Sequence, residues 1–251
     1  MTAASASLSS STIPATARVR SVDLAGPAGR LEALLNEGAP HAPFAALVCH
    51  PHPWGGGSMH NKVVYHVMKV LNDPTWGFAA PVLRFNFRGT GLSQGVHDGK
   101  LEADDVRAAM AWLENEYNLP LVVAGFSFGA AMALKACCGS AHVRALAALG
   151  LPIRVRQSEL SGKLPAASAA PDDNAAIREY AYRFLSDCTI PKLFLSGDHD
   201  PYAPAMQLAH VVDRAAEPKR LRLIAGADHF FTGQLPAMQQ ALGDWLQELP
   251  V

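Results

Sequence analysis

The chain has little of what marks several classes of protein. Its net charge is −1, from 21 basic and 22 acidic residues among 251, so no overall field favours nucleic acid or an anionic membrane as a partner. No apolar run reaches the length of a membrane span. Cysteine is scarce: Cys49, Cys137, Cys138 and Cys188 are the four, and their spacing matches neither a metal site nor a disulfide framework. The adjacent Cys137 and Cys138 point to different sides of a helix and read as small fillers, which fits a reducing compartment, the cytoplasm. Charged residues make up only 17% and hydrophobic residues 49%. That composition carries no disorder signature, and over residues 18–251 it suits one α/β domain with one large core. Residues 1–17 carry no charge and are rich in Ala, Ser and Thr. They lack the basic start and continuous apolar stretch of a secretory signal, so a disordered tail is expected in preference to a transit peptide.

What is present alternates between two periodicities. Arg18–Leu24 and Leu31–Asn36, separated by the turn-rich Ala25–Gly29, read as an antiparallel hairpin at one sheet edge. Strands are expected at Phe44–Cys49, buried by its uninterrupted apolar run, and at Pro81–Phe87, Leu119–Ala124, Val143–Leu149, Pro191–Ser196 and Lys219–Ile224. Helices are expected at about 59–72, with Ser58 as N-cap, and at about 101–117, 128–136, 205–215 and 236–249. Strands alternating with helices imply a mostly parallel, doubly wound sheet, with ligands bound beyond the carboxyl ends of its strands. One connection is long. Residues 152–187 hold a polar Ala/Ser/Pro-rich piece and a helical piece, Ala175–Leu185, and read as a small cap insertion over the site.

The densest chemistry lies at Gly125-Phe126-Ser127-Phe128-Gly129. Gly-x-Ser-x-Gly between a strand and an Ala-rich helix is a nucleophile elbow, whose strained turn needs small neighbours and lifts the serine hydroxyl clear of the sheet edge. The Phe128 N–H then stands at a helix start, where a developing oxyanion is stabilised. A serine nucleophile needs a base and an orienting acid. Gly197-Asp198-His199-Asp200 and Ala227-Asp228-His229-Phe230-Phe231 each follow a strand, giving the order Ser127, Asp, His229. Asp198 and Asp200 compete for the acid. Asp200 is favoured by its Gly-x-x-Asp position and by Pro201 and Pro204 beyond it, and the other carboxylate is left to cap a helix or orient the loop.

The second oxyanion donor should come from His50-Pro51-His52-Pro53-Trp54-Gly55-Gly56-Gly57. Pro51 and Pro53 have no N–H, which leaves His52, nearer the strand, with Trp54 as the alternative. The three glycines are expected to let this loop approach the elbow. His50, His52 and His60 lack a nearby carboxylate or cysteine partner, so no metal is expected. Arg88-Gly89-Thr90-Gly91 completes no phosphate-loop pattern. Trp54, Tyr202 and Phe230 are the expected substrate-pocket residues.

With these residues in hand, the chain resembles the α/β-hydrolase superfamily. More narrowly, it is similar to the small bacterial α/β-hydrolases related to dienelactone hydrolases and serine carboxylesterases. The carriers are His50-Pro51-His52-Pro53 with its glycines, Met59–Val64, Leu83–Gly89, Ala124–Gly129, the Gly-x-x-Asp ending at Asp200 and Asp228–Phe231. The resemblance spans about residues 18–249 and implies an α/β-hydrolase fold with Ser127 as nucleophile, His229 as base and Asp200 as acid. It implies a cofactor-free serine esterase acting on small esters of short to medium acyl chain, as a monomer or homodimer. Dienelactone hydrolases proper carry cysteine at the elbow, so their substrate does not follow, and Pro152–Ser186 is longer than the narrower group has. The triad alone does not select the leaving group, so thioesterase, amidase and peptidase are alternatives, as is a non-catalytic binding protein of the same fold.

Overall fold

The computed structural model describes residues 18–156 and 177–249. The tail expected over residues 1–17 and the middle of the expected cap lie outside these residues. In chain order the strands are β1 (Val19–Gly26), β2 (Gly29–Asn36), β3 (Ala45–Cys49), β4 (Val82–Phe85), β5 (Leu121–Phe126), β6 (Val143–Leu149), β7 (Arg154–Arg156), β8 (Ile177–Glu179), β9 (Lys192–Gly197) and β10 (Lys219–Ile224). The longer helices are α1 (Lys62–Asn72), α2 (Glu102–Tyr117), α3 (Phe128–Cys137), α4 (Ala205–Asp213) and α5 (Leu235–Gln247).

Eight strands form one sheet in the order β1-β2-β4-β3-β5-β6-β9-β10. The β1–β2 hairpin is antiparallel and pairs along its whole length, so the expected five-residue turn shrinks to Pro27 and Ala28. β2 joins β4 antiparallel, and every pairing from β4 to β10 is parallel. β3, β4, β5 and β9 are buried at every residue, as strands covered on both faces must be. Their side chains divide between two cores. Leu47, Leu83, Val123 and Phe194 meet α2, α3 and α4 on one face; Val48, Val82, Val122 and Leu195 meet α1 and α5 on the other. The edge strand β10 keeps Arg220 and Arg222 along a largely exposed face, charges that discourage further strand pairing.

Three local expectations are corrected. Asn61, not Ser58, caps α1: its side chain accepts the Val63 N–H at 2.9 Å, while the Met59 N–H is already held by Asn86 at 2.8 Å. The expected helix Ala175–Leu185 is absent from the described residues of that stretch. Residues 177–179 instead form β8, antiparallel to β7, and a short 3-10 helix covers Arg183–Asp187. The partner strand lies far back in sequence, beyond the reach of a local periodicity, and Tyr182 at φ 44° cannot continue a helix. The third concerns cysteine. Cys138, at the C-cap of α3, is bonded to Cys188, just past the 3-10 helix, with Cα atoms 5.1 Å apart. A separation of 50 residues leaves no local signature; only the return of the chain over α3 brings the pair together. The cysteine-based ground for a reducing compartment falls with it. Cys49 and Cys137 are free and buried, and burial pushes the Cys137 thiol up to about 12.

No helix among the described residues is long and apolar enough to cross a membrane. Replacing Cys138 and Cys188 by serine should lower stability by about 2–4 kcal/mol. Denaturant titration of the variant beside oxidised and reduced wild type checks this, with reduced protein matching the variant.

Candidate active site

The turn after β5 is closed by contacts that only small residues permit. Ser127 sits at φ 55° and ψ −120°, a region costly for a residue with a side chain. Its N–H is held by the Leu149 carbonyl at the end of β6 (2.8 Å), and its carbonyl receives the Ala130 N–H (2.9 Å) and starts α3. A Cβ at Gly125 would strike the Gly129 carbonyl, and one at Gly129 would strike the carbonyls of Cys49 and His50. The second contact brings the β3 loop against the elbow. Gly129 therefore does the work expected of Gly55–Gly57; Gly55 and Gly56 have open space where a Cβ would stand, and only Gly57 is crowded, by Pro51 and His52.

Two further strand ends deliver the partners. His229 Nε2 lies 3.0 Å from Ser127 Oγ, and His229 Nδ1 lies 2.8 Å from Asp200 Oδ2. Both His229 and Asp200 are buried. Asp200 is fully engaged: Oδ1 accepts the N–H groups of Tyr202 (2.8 Å) and Ala203 (3.2 Å), and Oδ2 also accepts the Ser196 hydroxyl (3.1 Å). Asp198 turns away and accepts the Gly226 N–H at 2.7 Å, tying the β9 loop to the β10 loop. Asp228 accepts from Phe230 (3.0 Å) and Thr232 (2.9 Å), and these bonds, the Thr232 N–H foremost, lower its pKa. It shapes the turn that presents His229. Phe126, Tyr202 and Phe230 surround the imidazole at ring-centroid distances of 5.0, 4.6 and 5.2 Å.

On the other side of Ser127 lies the β3 loop. His50 is buried with both ring nitrogens used, Nδ1 against the Pro51 carbonyl (2.6 Å) and Nε2 accepting the Phe87 N–H (3.0 Å). Burial lowers its pKa to about 4, so it is a neutral brace between strand ends. The Trp54 N–H is donated to His52 Nδ1 at 3.2 Å and is not free to serve as the alternative oxyanion donor. Among the described residues the backbone N–H groups of His52 and Phe128 meet no acceptor. Among the same residues no group of three or more His, Cys, Asp or Glu is arranged to hold a metal ion.

Ser127, His52 and His229 open into one cavity of about 870 Å³. Trp54, Tyr202 and Phe230 all line it, and so do Tyr180, Tyr182 and Phe184, which sequence reasoning missed. The last three come from the expected cap, where an alternation of aromatic residues at 180, 182 and 184 was the available signal. Tyr182 donates its hydroxyl to the Pro152 carbonyl (2.7 Å), and the Tyr180 N–H reaches the Ile153 carbonyl (2.8 Å). These bonds hold the two ends of the insertion together.

Comparison with known proteins agrees with this architecture. No protein-family model matches the chain. An uncharacterised protein of Rickettsia prowazekii is 34% identical over 230 residues, 88% of this chain and 86% of that one. The crystal structure of an α/β serine hydrolase without lid from Xanthomonas campestris is 27% identical, covers 94% of this chain and 97% of its own, and superposes with a TM-score of 0.72. The chain belongs to the α/β-hydrolase superfamily. An α/β serine hydrolase homologue from Coxiella burnetii is 28% identical, with 91% and 97% of the two chains covered and a TM-score of 0.71. The likeness to these serine hydrolases supports a hydrolase. In this α/β-hydrolase, Gly129→Ala should cost roughly 1–3 kcal/mol by overpacking against the β3 loop. Gly55→Ala, with open space around it, should leave stability unchanged, and urea midpoints of the two variants test the contrast.

Proposed function

We propose that the protein is a serine hydrolase that cleaves carboxylic esters of short to medium acyl chain through an acyl-enzyme. The observation that carries this reading is the unbroken line Ser127–His229–Asp200, with contacts of 3.0 and 2.8 Å, opening into the cavity. The Asp200 carboxylate accepts from His229 Nδ1–H, which fixes the tautomer and leaves Nε2 free to take the Ser127 proton. Ser127 Oγ attacks the ester carbonyl carbon, and the resulting oxyanion accepts hydrogen bonds from the His52 and Phe128 N–H groups. His229 returns its proton to the departing alkoxide, and water repeats the sequence to release the acid and restore Ser127. The Ser196, Tyr202 and Ala203 donors hold the Asp200 carboxylate in place throughout. We read residues 152–187 as a cap whose Tyr180, Tyr182 and Phe184 help to set acyl-chain preference.

A p-nitrophenyl ester series of increasing acyl length tests the proposal. Wild type should turn over short and medium chains, and Ser127→Ala should retain no more than the background of a triad-less enzyme. Asp200→Asn should lower kcat by about 10⁴-fold, because the amide favours the wrong His229 tautomer. Retained turnover in Ser127→Ala would refute the nucleophile. Fluorophosphonate labelling without ester turnover would redirect the reading to thioesters or amides.

A further inference from the structure

Beside the triad lies a second chain of ionisable groups that the reaction above does not use. Glu102 is the first residue of α2 and is completely buried. Its Oε1 accepts the N–H groups of Asp98 (2.9 Å) and Gly99 (3.2 Å) and lies 2.7 Å from His97 Nδ1, an oblique approach rather than an in-line hydrogen bond. His97, itself buried, places Nε2 3.4 Å from His52 Nε2. The His97 ring also packs edge-on against both residues proposed to supply the oxyanion donors, at 4.7 Å from His52 and 5.3 Å from Phe128.

The proton order along this chain is determined by its far end. His52 Nδ1 accepts the Trp54 N–H and so carries no proton. Burial, with His97 adding to it, lowers the His52 pKa to about 4, so at neutral pH the ring is uncharged and its one proton sits on Nε2. His97 Nε2 must then accept, and His97 carries its proton on Nδ1, facing Glu102. Burial by itself would raise the Glu102 carboxyl, but His97 and the Asp98 N–H outweigh it and bring it to about 2. A carboxylate at the head of α2 is favoured by the helix dipole. Yet Glu102 Oε2 has no partner among the described residues, and a buried, half-paired carboxylate is a poor device for stability alone.

We propose that Glu102 and His97 are positioning residues for the oxyanion hole, holding the His52 ring so that its backbone N–H stays aimed at the developing charge. The His52 ring and the His52 N–H are carried by the same Cα, so a partner that holds the ring also fixes where the donor points. This inference rests on the serine-hydrolase reading. It predicts that the pair acts in the transition state and not in ground-state binding.

The test compares wild type, His97→Phe and Glu102→Gln in ester kinetics and in inhibition by a trifluoromethyl ketone, whose adduct with Ser127 carries an oxyanion. His97→Phe keeps a ring between His52 and Phe128 but removes both nitrogens. Glu102→Gln keeps the volume and the acceptor for Asp98 and Gly99 but removes the charge. Each variant should lose about 10-fold or more in kcat and bind the ketone correspondingly more weakly, short of the roughly 10²–10³-fold loss of a whole donor. KM should stay within about twofold, as for an interaction made only in the transition state. Should His97→Phe fail to fold, Glu102→Gln carries the test. Unchanged kcat and ketone affinity in a folded variant overturn the proposal, as does a rise in KM alone, which would make the pair only a pocket wall. Imidazole nitrogen shifts read the proton order independently of activity, and a proton on His52 Nδ1 also overturns it. Ser127→Ala runs alongside: turnover in that variant, or wild type indifferent to the ketone, defeats the serine reading itself and this inference with it.

Discussion

At Ser127 the chain passes from a buried strand into a helix within one residue, in a backbone conformation that costs a serine about 1–3 kcal/mol. Everything near the site is arranged to hold that turn. β6 supplies the carbonyl that fixes the Ser127 N–H, and α3 supplies the N–H groups that take up its carbonyl. Gly125 and Gly129 let strand, helix and the β3 loop converge where any larger residue would force them apart. The strain is sustained by a sheet whose central strands are covered on both faces, so the elbow cannot relax without disturbing the packing beneath it.

Around this point the polar groups are almost all committed. His50 spends both nitrogens on backbone, Asp200 accepts from three neighbours besides His229, and Asp198 and Asp228 each brace a turn. Among the described residues the N–H groups of His52 and Phe128, which line the same cavity as Ser127, meet no acceptor. Arg88 and Asp105 repeat the pattern one layer deeper. Their buried, bidentate pair, with the Arg88 N–H also bound to Asp105, anchors the loop after β4 on the first turn of α2, from which Glu102 reaches His97. Commitment of this kind gives a site that needs little rearrangement on ligand binding.

The sequence carried the fold because its signals are local. Strand runs such as Val143–Leu149 and Lys219–Ile224 appear in the structure with the expected bounds, and the Gly-x-Ser-x-Gly turn is legible because its steric requirement falls within five residues. Loop position alone favours Asp200 over Asp198; in the structure Asp200 lies against His229 and Asp198 against the Gly226 N–H. What was not legible depends on partners distant in sequence. The Met59 N–H goes to Asn86, distant in sequence, and the helix begins only after it, with Asn61 and not Ser58 as its cap. Residues 177–179 become strand because Arg154–Arg156 lie alongside, and the line from Glu102 through His97 ends at His52, 45 residues back in the chain.

The Cys138–Cys188 bond also changes how the molecule is connected. Ser127 precedes the bridge, and Asp200 and His229 follow it. The excursion after β6, as far as Cys188, lies inside the closed loop, and with it part of the cavity wall, Tyr180, Tyr182 and Phe184 included. A protease that cut the chain anywhere between the two cysteines would therefore leave a single covalent molecule, with all three residues of the Ser127–His229–Asp200 line still on it.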